Sequence, residues 1–369
     1  MVRPAVVEVQ LPLAAVDRDD FVDGLDSGVL PAGVPSRCNG FATWRDERRM
    51  SLTELARPAA HLSIFEGFDA ATLRAGALEA TFVPELGMVG ASLRHDGDEL
   101  LDRREGLLAY RDAGAVMGIP LLHPWANRLG GDAYELHGRR VRLPAGSPLV
   151  RRDENGLPIH GLLSAHPGWV VDSLDAGAEG ATLQASLDFA GDPRLHAAFP
   201  FAHELTIVAR LTDRALTIAT TITPTGGALV PISFGYHPYL RIPGCDRSEW
   251  EVGLPARRHA ELDGRGIPTG RGHRCPPARL RLGELAFDDG FDRIADGARF
   301  SVSGGGRTLS VRHHEGFPVA QLYSPPGAQF LCFEPMTAPV DALRAAVGLR
   351  RAVPGVPFTA TFSIAVSEA

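Results

Sequence analysis

The most regular feature of the chain is alternation. In "HELTIVARLTDRALTIATTIT", residues 203–223, Leu205, Ile207, Ala209 and Leu211 occupy every second position. "TDR" then interrupts, and Leu216, Ile218, Thr220 and Ile222 resume the period. A period of two puts one set of side chains on one face of a strand, so this stretch predicts an antiparallel hairpin with one buried face. "LEATFVPELG", "TLSVRH", "VAQLYSP", "FLCFEP" and the terminal "PFTATFSIAV" continue the pattern, with Phe358, Ala360, Phe362, Ile364 and Val366 again alternating. Gly, Pro or Asp breaks these runs every ten residues or so. Only "DALRAAVGL" suggests a helix, and it is short. No fixed-period repeat of the propeller or solenoid kind is present. Many short strands without long helices predict an all-β fold, a large antiparallel β-sandwich.

The alternation does not extend to the start of the chain. Residues 1–55 mix Asp, Arg, Pro and Gly, and only "VVEVQLPL" reads as a possible strand. They are expected to form a partly ordered N-terminal extension, with the sandwich domain over residues 56–369.

Composition narrows the function. With 44% hydrophobic and 22% charged residues, a chain of 369 residues can bury a sizeable core. The net charge of −7 argues against nucleic acid or an anionic membrane as partner, since either favours a basic face. No run approaches the roughly 20 apolar residues of a membrane helix. Four scattered cysteines (Cys38, Cys245, Cys275, Cys332) show no CxxC spacing, so neither a disulfide framework nor a zinc knuckle is expected, and a reducing cytoplasm is the simplest location. The chain contains no lysine, and all 37 basic residues are arginines. Schiff-base chemistry and a P-loop lysine are thereby excluded. Nothing in the sequence speaks to oligomeric state.

Candidate chemistry lies in a few polar stretches. "GIPLLHPWANRLGG", residues 118–131, carries Asn127 and Arg128, which also suit a solvated turn. "GLPIHGLL" holds His160 among apolar residues, where a satisfied core histidine is the usual reading. "SFGYHPYLRIPG" sets His237 between Tyr236 and Tyr239, two of only five tyrosines. In "FLCFEPMTAPVDAL", Glu334 ends an apolar strand just before Pro335. A carboxylate there is expected to be partly desolvated, and is either paired in a structural ion pair or kept for function. "LAFDDGFDRI" adds Asp288 and Asp289, which a polar turn would equally explain.

Taken in order, "PWANRL", "IHG", "GYHPYL", "DDGF" and "FEPMTAP" resemble the aldose 1-epimerase (galactose mutarotase) family over roughly residues 60–369. The resemblance implies the extended "supersandwich" form of the β-sandwich, with a sugar cleft on one face and neither metal nor cofactor. It implies Glu334 as general base and His237 as general acid, in a reaction that interconverts α and β anomers of a hexose by opening the ring. Arg128, His160 and Asn127 would orient the sugar. The aspartate that binds sugar hydroxyls matches Asp288 by its offset from the following phenylalanine, with Asp289 beside it. Met336 stands where many galactose-active members carry glutamine.

Three other readings fit less of the sequence. A hexose-6-phosphate mutarotase on the same fold would need further arginines at the cleft rim, and Arg94, Arg139 and Arg140 are available. A non-catalytic carbohydrate-binding protein would not need both Glu334 and His237. A metal-dependent hydrolase would need ligand spacing that the 13 histidines do not supply.

Overall fold

The computed structural model describes residues 57–368, so the extension expected over residues 1–55 lies outside the described residues. The predicted hairpin is present as His203–Leu211 and Ala215–Pro224. Its register pairs Leu205 with Ile222, Ile207 with Thr220, Ala209 with Ile218 and Leu211 with Leu216, so the inward side chains face one another in pairs. Seven further strands extend it into a nine-stranded sheet, in which Phe358–Glu368 lies between Ala215–Pro224 and Arg307–Glu315.

An eight-stranded sheet stacks on the nine-stranded one. Phe333 meets Phe300 with ring centroids 5.4 Å apart, and Tyr236 meets Phe362 at 4.9 Å. One cluster of buried residues spans both sheets, from Ala71 to Val366. A five-stranded meander over residues 59–99 completes the main β-structure, and every ladder between its neighbours is antiparallel. The fold is the expected large antiparallel sandwich.

The eight-stranded sheet positions the site. Its neighbours run Arg257–Leu262, Phe287–Asp292, Val319–Ser324, Leu331–Met336, then the two-residue strand Gly235–Tyr236. All six residues of Leu331–Met336 are buried. Phe333 enters the core, so Cys332, Glu334 and Met336 project from the opposite face. Glu334 is therefore mid-strand rather than at a strand end, because the strand continues through Pro335 to Met336. Proline is tolerated because the strand on that side contributes one pair, Gly235 with Met336, and so needs little from residue 335.

Three short α-helices occur among the described residues: Gly106–Asp112, Pro193–Ala198 and Ala342–Ala345. The last falls within "DALRAAVGL". The first two were not expected, since seven and six residues are too few to display a helical period.

Candidate active site

A cleft of about 390 Å³ opens over the outer face of the eight-stranded sheet. It is lined by Asn127, Arg128, His160, His237, Asp288 and Glu334, which brings together from distant segments all six residues singled out in the sequence.

Backbone pairing between "NRL" and "PIHG" builds one wall. Leu129 N donates to Pro158 O (2.8 Å) and His160 N to Asn127 O (2.9 Å). Asn127 and His160 both have left-handed backbones, with φ of 55° and 63°. Gly161 follows at φ 70°, and a Cβ there would lie 2.2 Å from His123 O. Only glycine permits that approach, so the glycine of "IHG" is needed to seat His160. The Oδ1 atom of Asn127 accepts from Arg128 N at 2.9 Å, which leaves its amide NH2 to donate.

His237 lies between the short strands Gly235–Tyr236 and Tyr239–Leu240, with its amide on Pro120 O at 3.3 Å. Its imidazole stacks on Tyr239, centroids 4.4 Å apart at 5°, and meets His160 edge-on at 5.4 Å. The two tyrosines that flank it have different tasks. Tyr239 lines the cleft, whereas Tyr236 is a core residue whose hydroxyl bonds to Thr220 Oγ1 at 2.6 Å.

Glu334 and His237 meet at the cleft floor, with Oε1 3.3 Å from Nε2. Glu334 is 1% exposed and His237 4%. Burial, reinforced by the nearby Asp288 carboxylate and opposed by Arg128, pushes the Glu334 pKa well above the ordinary carboxylate range. Burial also lowers His237 to about 3, with Arg104 acting in the same direction. His160 is held well below its usual value by burial and by His237, Arg151 and Arg128. Loss of water disfavours the charged form of each group, whichever its sign.

Arg128 is locked in place. Its Nε donates to Asp153 Oδ2 at 2.7 Å, and Asp153 Oδ1 accepts from Asn155 N and Leu157 N at 3.0 and 2.8 Å. Burial raises the Asp153 pKa, but these bonds outweigh it and hold the carboxyl below its ordinary value. Strand alternation separates the acidic pair. Asp288 projects into the cleft, with Oδ2 3.9 Å from Arg128 NH1, while Asp289 is paired with His259 at 2.8 Å in an adjoining groove.

Several cleft residues escaped sequence reasoning: Arg104, Glu105, Arg152, Asp153, Glu154 and Tyr323. The turn "DENGLP" was a signal for Asp153, whose carboxylate caps the turn. Arg104 has no carboxylate partner among the described residues and lies over the rings of Tyr239 (5.6 Å) and Phe330 (5.2 Å). Arg94, Arg139 and Arg140, considered for a phosphate, do not line the cleft. No group of three or more His, Cys, Asp or Glu able to hold a metal occurs among the described residues. No helix among them is long and apolar enough to cross a membrane.

With this geometry in hand, comparison with known proteins decides the family. The family model described as aldose 1-epimerase matches residues 69–365, which is most of the chain. The chain belongs to the aldose 1-epimerase family. Members of this family are isomerases acting on sugars. Among curated proteins, the uncharacterized protein YihR of Escherichia coli is 26% identical over 261 residues, covering 67% of this chain and 80% of YihR. A galactose mutarotase-like protein from Clostridium acetobutylicum superimposes with a TM-score of 0.74 at 17% identity, covering 85% of this chain and 99% of that one. Galactose 1-epimerase from Lactobacillus acidophilus gives 0.67 at 14% identity, covering 85% and 99%. Both structures share the fold of this chain.

Proposed function

We propose that this aldose 1-epimerase family member interconverts the α and β anomers of a free hexose, with Glu334 and His237 moving the protons. The observation that carries the reading is the buried Glu334–His237 contact at 3.3 Å, ringed by Asn127, Arg128, His160 and Asp288. Opening a pyranose removes a proton from the C1 hydroxyl and delivers one to the ring oxygen as the C1–O5 bond breaks. Glu334 takes the first and His237 supplies the second, each worth roughly 10²–10⁴-fold. After rotation about C1–C2, the C5 hydroxyl returns its proton to His237 as it closes on C1. Glu334 then gives its proton back to the C1 oxygen, on either face.

The pair needs one proton between its two members. Burial favours neutral carboxyl with neutral imidazole, and transfer of that proton gives the carboxylate and imidazolium that start the reaction. Arg128, held by Asp153, presents its guanidinium to sugar oxygens. Asn127 and His160 donate or accept beside it, and Asp288 accepts from sugar hydroxyls.

The charge of the cleft favours a neutral sugar over a sugar phosphate. With Glu334 holding its proton, four carboxylates line it (Glu105, Asp153, Glu154, Asp288) against three guanidiniums (Arg104, Arg128, Arg152). The test is polarimetry of freshly dissolved α-glucose, α-galactose and glucose 6-phosphate. Faster equilibration of a free hexose than of the phosphate is expected. No acceleration over buffer for any of the three would dispose of the reading.

A further inference from the structure

The eight-stranded sheet comes apart near one edge. Arg257–Leu262 pairs with the edge strand Pro268–Cys275 on one side. On its other side it meets Phe287–Asp292 only through Arg258 with Asp292 and His259 with Phe291. Phe287–Asp292 meanwhile keeps six pairs with Val319–Ser324. Residues 260–262 therefore part from residues 287–290, and a groove of about 510 Å³ opens where the ladder ends. Asp288 and Asp289 face opposite sides of their strand, yet both border the groove, because it lies between strands rather than over one face. Asp288 also lines the cleft, so the two spaces meet at its carboxylate. The turn of the parted hairpin reaches the cleft as well: a Cβ on Gly266 would lie 3.0 Å from Arg128 NH1.

The groove is equipped for a ligand rich in hydroxyls. The imidazoles of His259 and His273 stand 5.2 Å apart at 70°, forming a corner of two rings. Asp289 Oδ1 lies 2.8 Å from His259 Nε2 and holds that ring. Arg271 Nε donates to Glu261 Oε2 at 3.0 Å, so the one guanidinium in the groove is already neutralised. Asp288 and Asp289 supply carboxylate oxygens, which only accept. This set repels an anion and suits a neutral molecule with many O–H donors and C–H faces to lay against imidazole. A sugar ring has that chemistry. A purely structural edge would gain by continuing the ladder, since each lost pair gives up a cross-strand contact.

We propose that the groove is a second sugar subsite, taking the non-reducing ring of a reducing disaccharide whose reducing hexose lies over Glu334 and His237. The inference rests on the mutarotase reading for the place of the first ring, and it widens the substrate class. Asp288 stands between the two rings. The second ring arrives tethered to the first, so weak contacts in an open groove add to affinity without a second full cost of association.

The test is titration calorimetry of the full chain with glucose, lactose, maltose and melibiose. Each disaccharide ends in a reducing glucose and carries its second ring on O4 or O6. At least one should bind about tenfold more tightly than glucose, the scale of one hydrogen bond to a charged group. His273→Ala, at an exposed position, should remove most of that advantage, and His259→Ala should do the same. Three disaccharides that bind no more tightly than glucose overturn the proposal, as does an advantage that survives in folded His273→Ala protein. Should His259→Ala fail to fold, His273→Ala decides alone. Anomer equilibration of the same sugars judges the mutarotase reading separately. A chain that binds disaccharides through these histidines without accelerating equilibration keeps the subsite and loses the reaction.

Discussion

The Oε1 atom of Glu334 lies 3.3 Å from Nε2 of His237, and burial drives the two groups in opposite directions, the acid toward keeping its proton and the base toward losing its own. A contact of that length between oppositely chargeable groups would form a salt bridge at the surface. Here water is excluded from both, so the neutral arrangement competes with the ionic one. The sequence reading assumed a carboxylate and an imidazolium. The fold changes that starting point while keeping the total number of protons.

The first prediction follows for the pH profile. Activity needs the pair to hold one proton, so kcat/KM should be bell-shaped. The acid limb marks gain of a second proton and the alkaline limb loss of the only one, and both apparent values belong to the pair. Glu334→Gln should lower kcat by roughly 10²–10⁴ while sugar still binds. A folded Glu334→Gln protein with wild-type kcat would remove Glu334 from the mechanism.

Stability should respond with a definite sign. Because the folded-state pKa of Glu334 is raised, the unfolded chain ionises it near 4.5 while the folded protein still holds the proton. This group therefore costs stability progressively as pH rises from there toward the folded value. Glu334→Gln should melt higher than wild type, by a margin that grows with pH. Melting at pH 5 and pH 8 checks it, and a margin that shrinks toward pH 8 contradicts the assignment of a buried acid.

The histidines predict the reverse limb. His203 and His313 are lowered to about 4 by burial, His237 to about 3. Each is protonated near 6.5 in the unfolded chain but stays neutral when folded, so stability falls as pH drops from 6.5 through about 4. His203 Nδ1 donates to Phe201 O at 2.6 Å, so its Nε2 can only accept from His123 Nε2, 2.9 Å away. Neither ring can gain a proton without breaking that arrangement. Melting temperature should drop steeply between pH 6.5 and 4, and a flat profile there would show that these rings are charged in the folded protein.

How much of this was legible in the sequence depends on whether the signal is local. The alternation of Leu205 to Ile222 and of Phe358 to Val366 announced the nine-stranded sheet, because a strand with one buried face writes its period into the chain. The cleft residues were found through family motifs, since Glu334 and His237 are 97 residues apart and no spacing rule connects them. Alternation did separate Asp288 from Asp289 once the strand was known, as neighbouring residues must face opposite ways. Asp153 and Arg104 stayed hidden because only loop packing brings Asp153 to Arg128 and Arg104 over the ring of Tyr239. Glu334 was misplaced at a strand end because proline normally stops a ladder, and here the adjoining strand is too short to need residue 335.

Residues 1–55 remain an extension on the sequence reading, and deletion tests it. Among the described residues the main core begins at Ala71, and the family match begins at residue 69. Removal of residues 1–50 should leave soluble protein with wild-type kcat and melting temperature. Loss of either would make the segment part of the domain.

The last prediction concerns Arg128, which would hold two sugar oxygens with a planar fork only because Asp153 fixes its Nε. Arg128→Ala should raise KM with the protein still folded, as the residue sits at the cleft wall rather than in the sandwich core. Asp153→Asn keeps the shape of the turn but replaces a charge-assisted bond with a weaker one, so KM should rise in the same direction by less. Combining the two should be no worse than Arg128→Ala alone, because the aspartate acts through the arginine. Measured KM values for the three variants decide between this order and independent roles. If the Asp153 change still adds its full effect when Arg128 is absent, Asp153 contacts the sugar directly, or shapes the cleft by a route that does not pass through the guanidinium.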